Sequence, residues 1–383
     1  MIEYTKAKTE DSEELIDFIN MVFSHNERPH DFKRLLPKLY GEGRDTSDCH
    51  YIVKENGKIK AAVGVFPTNI HVGNTVLKVG QLGSVSVHPY ARGKGYMKKL
   101  MAEAIRDSRE KGFDALVLGG LKNRYQYFGF MPTETKVRYT FLPQNVEHLL
   151  KNTDSRCIAF RKISADSKYL GEMKALYESC PVYADRQDTQ YFYDVLCSWE
   201  GNVYAVLKEG SFAGYLSVLQ DNRYFTEYKL KDADDFPSVL KAWFLEKQPD
   251  DLRLICGVYE REKCEIMGKY CESFQITTGH SWNIFHTEKF VQAWLEVKNS
   301  YESLEPGSLA VKIKKDGCME EICKFHWNEK KADSEKVVEI SRLEMMEAMF
   351  SEAVNFRSYG DCGTMKYKNW FPLPLFLSDP DAC

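Results

Sequence analysis

Two stretches of this chain, 153 residues apart, share one pattern. Tyr51 to Phe66, YIVKENGKIKAAVGVF, is two apolar runs around Asn56-Gly57, the strongest short signal for a β-hairpin. Tyr204 to Leu219, YAVLKEGSFAGYLSVL, repeats it with Tyr51/Tyr204, Val53/Val206 and Gly57/Gly210 in register. The shared register predicts a duplicated domain. At 383 residues the chain is too long for one core, and ~100–200 residues per domain gives two or three domains.

Around the first hairpin the elements are legible. Leu15, Phe18, Ile19, Val22 and Phe23 fall on one face of a helix, with Glu13 and Glu14 in its first turn, where the helix dipole favours anions. Next comes VSVHPYARGKGYMKKLM, Val85 to Met101. Leu82, Val85 and Val87 read as a strand. Met97, Leu100, Met101, Ala104, Ile105 and Ser108 recur at helical spacing until Gly112. FDALVLGG is another strand, and RYQYFGFMP an aromatic turn. Adding the repeat offset to Arg92 lands on Leu245 within WFLEKQPDD, which has no glycine turn, so the second copy is expected to be catalytically silent.

From about His280 the rhythm changes. Phe290, Trp294, Val297 and Tyr301 form a helical stripe; Leu309, Val311 and Ile313 alternate into a Lys315-Asp316-Gly317 turn; Cys323, Phe325 and Trp327 alternate again. Ser341-Arg342-Leu343-Glu344 is a capping box opening a helix with Met345, Met349 and Phe350 inward. This reads as a small α+β domain. In the tail, FPLPLFLSDPDAC, Pro372, Pro374 and Pro380 forbid a helix, while Phe371, Leu373, Leu375, Phe376 and Leu377 are too apolar for a free end, so it is expected to dock.

A net charge of −4 argues against a broad basic surface for nucleic acid. With no basic n-region and no apolar run near ~20 residues, the chain is expected to be cytoplasmic and off the membrane. Eleven scattered cysteines, an odd number, read as reduced thiols. Neither Cys264 and Cys271 nor Cys318 and Cys323 has the CxxC spacing or histidine pair of a metal site, so no metal is expected.

The chemistry concentrates at Arg92 to Met97. A dinucleotide site requires G-x-G-x-x-G and a P-loop G-x-x-x-x-G-K-[ST]; RGKGYM is neither. What remains is a strand, a basic glycine turn and a helix whose first amides are ready for a pyrophosphate. Gly93 and Gly95 let the phosphate approach the backbone, and Arg92 and Lys94 add charge.

The segment Arg92-Gly93-Lys94-Gly95-Tyr96-Met97 resembles the acetyl-CoA motif of GNAT acetyltransferases, [QR]-x-x-G-x-[GA], except that Met97 stands in the last, small place. A bulky residue there is similar to the enhanced-intracellular-survival (Eis) subfamily, and that resemblance covers the whole chain. It implies an α/β (α+β) fold: tandem GNAT domains with mixed central sheets flanked by helices, plus a C-terminal α+β domain like sterol carrier protein. The divisions expected are 1–150, a degenerate copy at 151–282, and 283–383.

It also implies acetyl-CoA as cosubstrate, a small cationic amine as acceptor (aminoglycoside-like or polyamine-like), and a homo-oligomer, hexameric by resemblance. Tyr125-Gln126-Tyr127-Phe128-Gly129-Phe130 looks like the subfamily's Y-x-x-F-G-[FY], which implies Tyr125 as general acid toward the leaving thiolate. An amide near Val87 would hold the acetyl carbonyl, and Val85 the pantetheine arm. His88 is either a base or a cap before Pro89. By resemblance the terminal carboxylate of Cys383 reaches the active site, with Asp379 and Asp381 adding negative potential; the alternative is a tail packed on its own domain. Glu27, in the loop expected to border the acceptor cleft, is a further cation-binding candidate. The competing function is a CoA- or lipid-binding module without turnover.

Overall fold

The computed structural model describes residues 1–26, 28–314, 321–328, 336–351 and 368–383. In chain order the first part holds β1 (Ile2–Lys6), α1 (Ser12–Asn26), the short turns α2 (Phe32–Leu35) and α3 (Pro37–Tyr40), β2 (His50–Glu55), β3 (Lys58–Val72), β4 (Thr75–Val87), α4 (Tyr96–Glu110), β5 (Ala115–Leu118), α5 (Lys122–Tyr125) and β6 (Met131–Pro132). The middle holds β7 (Thr135–Phe141), α6 (Pro143–Leu149), β8 (Ile158–Lys162), α7 (Leu170–Glu178), β9 (Val182–Ala184), α8 (Thr189–Cys197), β10 (Asn202–Lys208), β11 (Ser211–Val218), β12 (Tyr224–Leu230), α9 (Phe236–Lys247), β13 (Leu252–Gly257), α10 (Arg261–Tyr270) and β14 (Ser273–Thr278). Last come β15 (Ser281–Ile284), α11 (Thr287–Asn299), β16 (Gly307–Lys314), β17 (Glu321–Trp327), β18 (Lys336–Ser341) and α12 (Arg342–Phe350).

Two mixed sheets repeat one topology. The first runs β1-β2-β3-β4-β5, antiparallel until β4 and β5 pair in parallel; the second runs β8-β10-β11-β12-β13, with β12 and β13 parallel. Both hairpins fall where their repeated turns predict, and Asn56 and Gly57 carry the positive φ of a tight hairpin turn, 52° and 77°. In β3, Ala61, Val63 and Val65 pack toward Leu100, Met101 and Ala104 of α4, while Ala62 and Phe66 pack toward Leu15, Phe18 and Ile19 of α1. Both faces of the strand are covered, which is why it reads as an almost unbroken apolar run.

The sheets exchange strands. Past Pro132 the chain crosses to the second sheet, where β7 pairs with β13 and β14; β15 then returns to lie between β5 and β6. Buried Glu134 fastens the crossing by accepting from the His280 amide at 3.0 Å, His280 Nδ1 at 2.8 Å and Trp282 Nε1 at 3.0 Å. Desolvation pushes this carboxyl up, but His280 and Lys136 hold it below its ordinary range.

The third sheet, β17-β16-β18, packs with α11 and α12 into one core with Ile70 and Val72 of β3 and Leu77 and Val79 of β4. Ser341 and Glu344 form the expected capping box. The Lys315-Asp316-Gly317 turn lies outside the described residues. The tail docks: Leu373, Leu375 and Leu377 are buried in this core. In the second copy the turn between β12 and its helix is Asp232–Asp235, not the neighbourhood of Leu245, which sits inside α9. A constant offset misplaces it because the two copies differ in strand length.

Candidate active site

Parallel pairing of β4 with β5 runs only from Val79–Ala115 to Gln81–Val117. Beyond Gln81, β4 continues to Val87 without a β5 partner, so the sheet splits and a cleft of about 880 Å3 opens. Leu82, Val85 and Val87 line it on one side, Gly119, Gly120 and Leu121 on the other. Of the predicted cosubstrate residues, Val85, Val87, Arg92 and Met97 line the cleft. Gly93 and Gly95 have φ of 81° and 76°, a left-handed turn in which side chains are disfavoured, and Gly95 caps α4. Arg92 Nη2 donates to Asn26 Oδ1 at 2.8 Å, and Lys94 Nζ to both oxygens of Glu55 at 3.0 Å. The Tyr96 side chain is buried, edge to face with Tyr4 at a centroid distance of 6.1 Å.

Tyr125, at the end of α5, is buried and lines the same cleft. Desolvation raises its pKa, partly opposed by Arg124, so the phenol stays protonated at neutral pH. Gly120 makes room for it: a Cβ there would stand 2.5 Å from Tyr125 Cε2.

Cys383 also lines the cleft, and its thiol donates to Gln81 Oε1 at 2.9 Å. Desolvation pushes that thiol up to about 11, with Lys38 opposing. Lys38, from α3, donates to the carbonyls of Pro380 and Ala382, each at 2.6 Å, and so fixes the last turn of the tail.

The other candidates lie elsewhere. His88 Nδ1 accepts from the Tyr90 amide at 3.3 Å, the capping alternative. Asp379 is held by Lys136 at 2.5 Å and the Tyr224 hydroxyl at 2.8 Å, and Asp381 by Arg186 at 2.8 Å; neither lines the cleft. Their carboxylates anchor the tail. Glu27 lies outside the described residues. Sequence reading missed Ser84, Trp199, Phe32, Leu36 and Leu39, which line the cleft, although the loop that carries three of them was expected to border it. No metal-binding group of three His, Cys, Asp or Glu occurs among the described residues.

Residues 3–132 match the family model of the acetyltransferase (GNAT) domain. Among curated proteins, no sequence matches this chain. Three solved structures share its fold from end to end. A protein of Enterococcus faecalis described as a probable N-acyltransferase is 14% identical with a TM-score of 0.68, over 98% of this chain and 97% of that one. A GCN5-related N-acetyltransferase from Anabaena variabilis is 11% identical with a TM-score of 0.64, over 99% and 98%. Eis1 from Mycobacterium abscessus is 10% identical with a TM-score of 0.63, over 100% and 99%. Such identities speak for the fold alone; the domain match and the split-sheet cleft within it speak for the chemistry. Residues 3–132 are a GNAT acetyltransferase domain, and the protein is an acyltransferase.

Proposed function

We propose that the protein transfers an acetyl group from acetyl-CoA to the primary amine of a small molecule, by direct attack in the cleft between β4 and β5. One observation carries this reading: Arg92 and Met97 at the two ends of the glycine turn, the stretch of β4 beyond its pairing with β5 and a protonated, buried Tyr125 border a single cavity. The pyrophosphate rests on the amides from Gly93 to Met97, aided by Arg92 and Lys94. Pantetheine runs along Val85, and an amide near Val87 holds the acetyl oxygen. As the amine nitrogen bonds to the carbonyl carbon, negative charge builds on that oxygen; the C–S bond then breaks and Tyr125 gives its proton to the departing sulfur. The terminal carboxylate of Cys383, brought to the cleft by the tail, takes the proton the amine sheds.

The end-to-end fold likeness to Eis1 supports an Eis-type arrangement of two GNAT-like parts and a C-terminal α+β part, with the first division at the crossing past Pro132 and not at 150, in which the second copy, with Asp232, Asp234 and Asp235 where a phosphate would sit, is silent. Calorimetry with acetyl-CoA, followed by thiol release on adding primary amines, tests the proposal. Binding with amine-dependent thiol release is expected; binding without release from any amine would favour a CoA-binding module.

A further inference from the structure

A directed chain of hydrogen bonds ends in the cleft. His50 Nδ1 stands 2.8 Å from the Thr46 carbonyl oxygen, which can only accept, so this nitrogen carries the proton. In the neutral ring Nε2 is then an acceptor, and the Tyr40 hydroxyl 3.0 Å away donates to it. With its one proton committed, Tyr40 Oη accepts from Ser84 Oγ at 2.6 Å. Ser84 therefore turns its proton inward and leaves only lone pairs for the cleft it lines. Complete burial lowers the His50 pKa to about 4, which keeps the ring neutral and the direction of the chain fixed. Ser84 has φ of 55° in an irregularity of the β3–β4 ladder, the kind of bulge that re-aims a side chain.

The wall beside this oxygen is apolar. Phe32 meets Phe23 and Trp199 edge to face, at centroid distances of 5.0 and 6.3 Å, and Leu36 and Leu39 continue the surface. Trp199 has φ of 57°, a conformation a bulky residue keeps only when its surroundings impose it, and neighbouring Glu200 is pinned by Arg34 at 2.8 Å. Among the described residues no aspartate or glutamate lines the cleft; its charged side chains are Arg92 and Arg124. Among the described side chains of the cleft a polycation would give up hydration for two like charges and no carboxylate.

We infer that the acceptor is a monoamine with an aromatic or aliphatic body, its nitrogen held by the Ser84 oxygen and its body against Phe23, Phe32 and Trp199. This rests on the transferase reading above. The test compares 2-phenylethylamine with spermidine as acceptors at saturating acetyl-CoA, with calorimetry of 2-phenylethylamine on the acetyl-CoA-free protein as a readout independent of turnover.

The expected kcat/KM is at least about tenfold higher for 2-phenylethylamine. Ser84→Gly, which suits the positive φ, and Tyr40→Phe, which frees the serine proton, should each raise its KM about tenfold, the worth of one hydrogen bond. Their kcat and acetyl-CoA affinity should change less than about twofold. Preference for spermidine, an unchanged KM in both variants, or no binding of 2-phenylethylamine to protein that does bind acetyl-CoA overturns the inference. Failure of the parent to bind acetyl-CoA would instead overturn the transferase reading.

Discussion

Arg186 grips Asp381 through two hydrogen bonds, Nε to Oδ1 at 2.8 Å and Nη2 to Oδ2 at 3.0 Å, with both side chains withdrawn from solvent. The same guanidinium holds Glu227 at 2.9 and 2.6 Å and lies 3.7 Å from the centre of the Tyr177 ring. The tail is thus locked onto the second copy two residues before Cys383 enters the cleft. Arg186→Met would leave Asp381 and Glu227 buried without the cation that is hydrogen-bonded to both. It is expected to cost about 3–5 kcal/mol in urea unfolding, and to lower turnover more than acetyl-CoA affinity as Cys383 is released. An unchanged unfolding midpoint would mean that the network carries no net stability.

Gly120→Ala should separate binding from chemistry. The new Cβ would meet the Tyr125 ring at 2.5 Å, at a backbone φ of +152° that side chains rarely adopt, so the ring must move. Turnover is expected to fall at least about tenfold while acetyl-CoA affinity holds, because a displaced general acid loses its alignment with the sulfur. Equal losses in both would place Gly120 in the cosubstrate site.

Gly95→Glu would set a carboxylate beside the pyrophosphate position, at φ of +76° with open space around it. Calorimetry should show acetyl-CoA binding lost, with the free energy of unfolding lowered by no more than about 1–2 kcal/mol. Retained affinity would move the phosphate site away from this turn.

Local signals in the sequence carried both hairpins, α1, α4, the Ser341–Glu344 capping box and the docked tail, because turn glycines, caps and apolar stripes act over a few residues. The glycine turn and Tyr125 were legible for the same reason. What stayed hidden depends on partners far along the chain. Nothing near Thr135 shows that β7 leaves the first sheet, or that Ser281–Ile284 will fill the gap. Asp379 and Asp381 looked like free negative potential because Lys136 and Arg186 are 243 and 195 residues away. Ser84 carries no motif; its importance comes from the positive φ and from Tyr40 and His50 behind it.

His50 gives the fold an acid limit. The ring titrates near 4 when folded against an ordinary 6.5, so between those values the unfolded chain binds the extra proton and stability falls as pH falls. The contribution is intact above about pH 6.5 and is lost toward pH 4, about 3 kcal/mol over the window. Urea unfolding at pH 7.5 and 4.5 should show the parent losing more than His50→Gln by about 2–3 kcal/mol. Parallel losses would mean that His50 is not buried neutral.

Thiol release by Tyr125→Phe, measured with saturating acetyl-CoA and a primary amine, bears most directly on acetyl transfer in this cleft. The phenol is protonated, buried and on the cavity wall, and its removal takes away one proton and no packing surface. The predicted result is turnover lowered by ~10²–10⁴ with the acetyl-CoA dissociation constant unchanged. Turnover at the parent rate would contradict it, and would leave Tyr125 as a packing residue with the leaving sulfur protonated from another source.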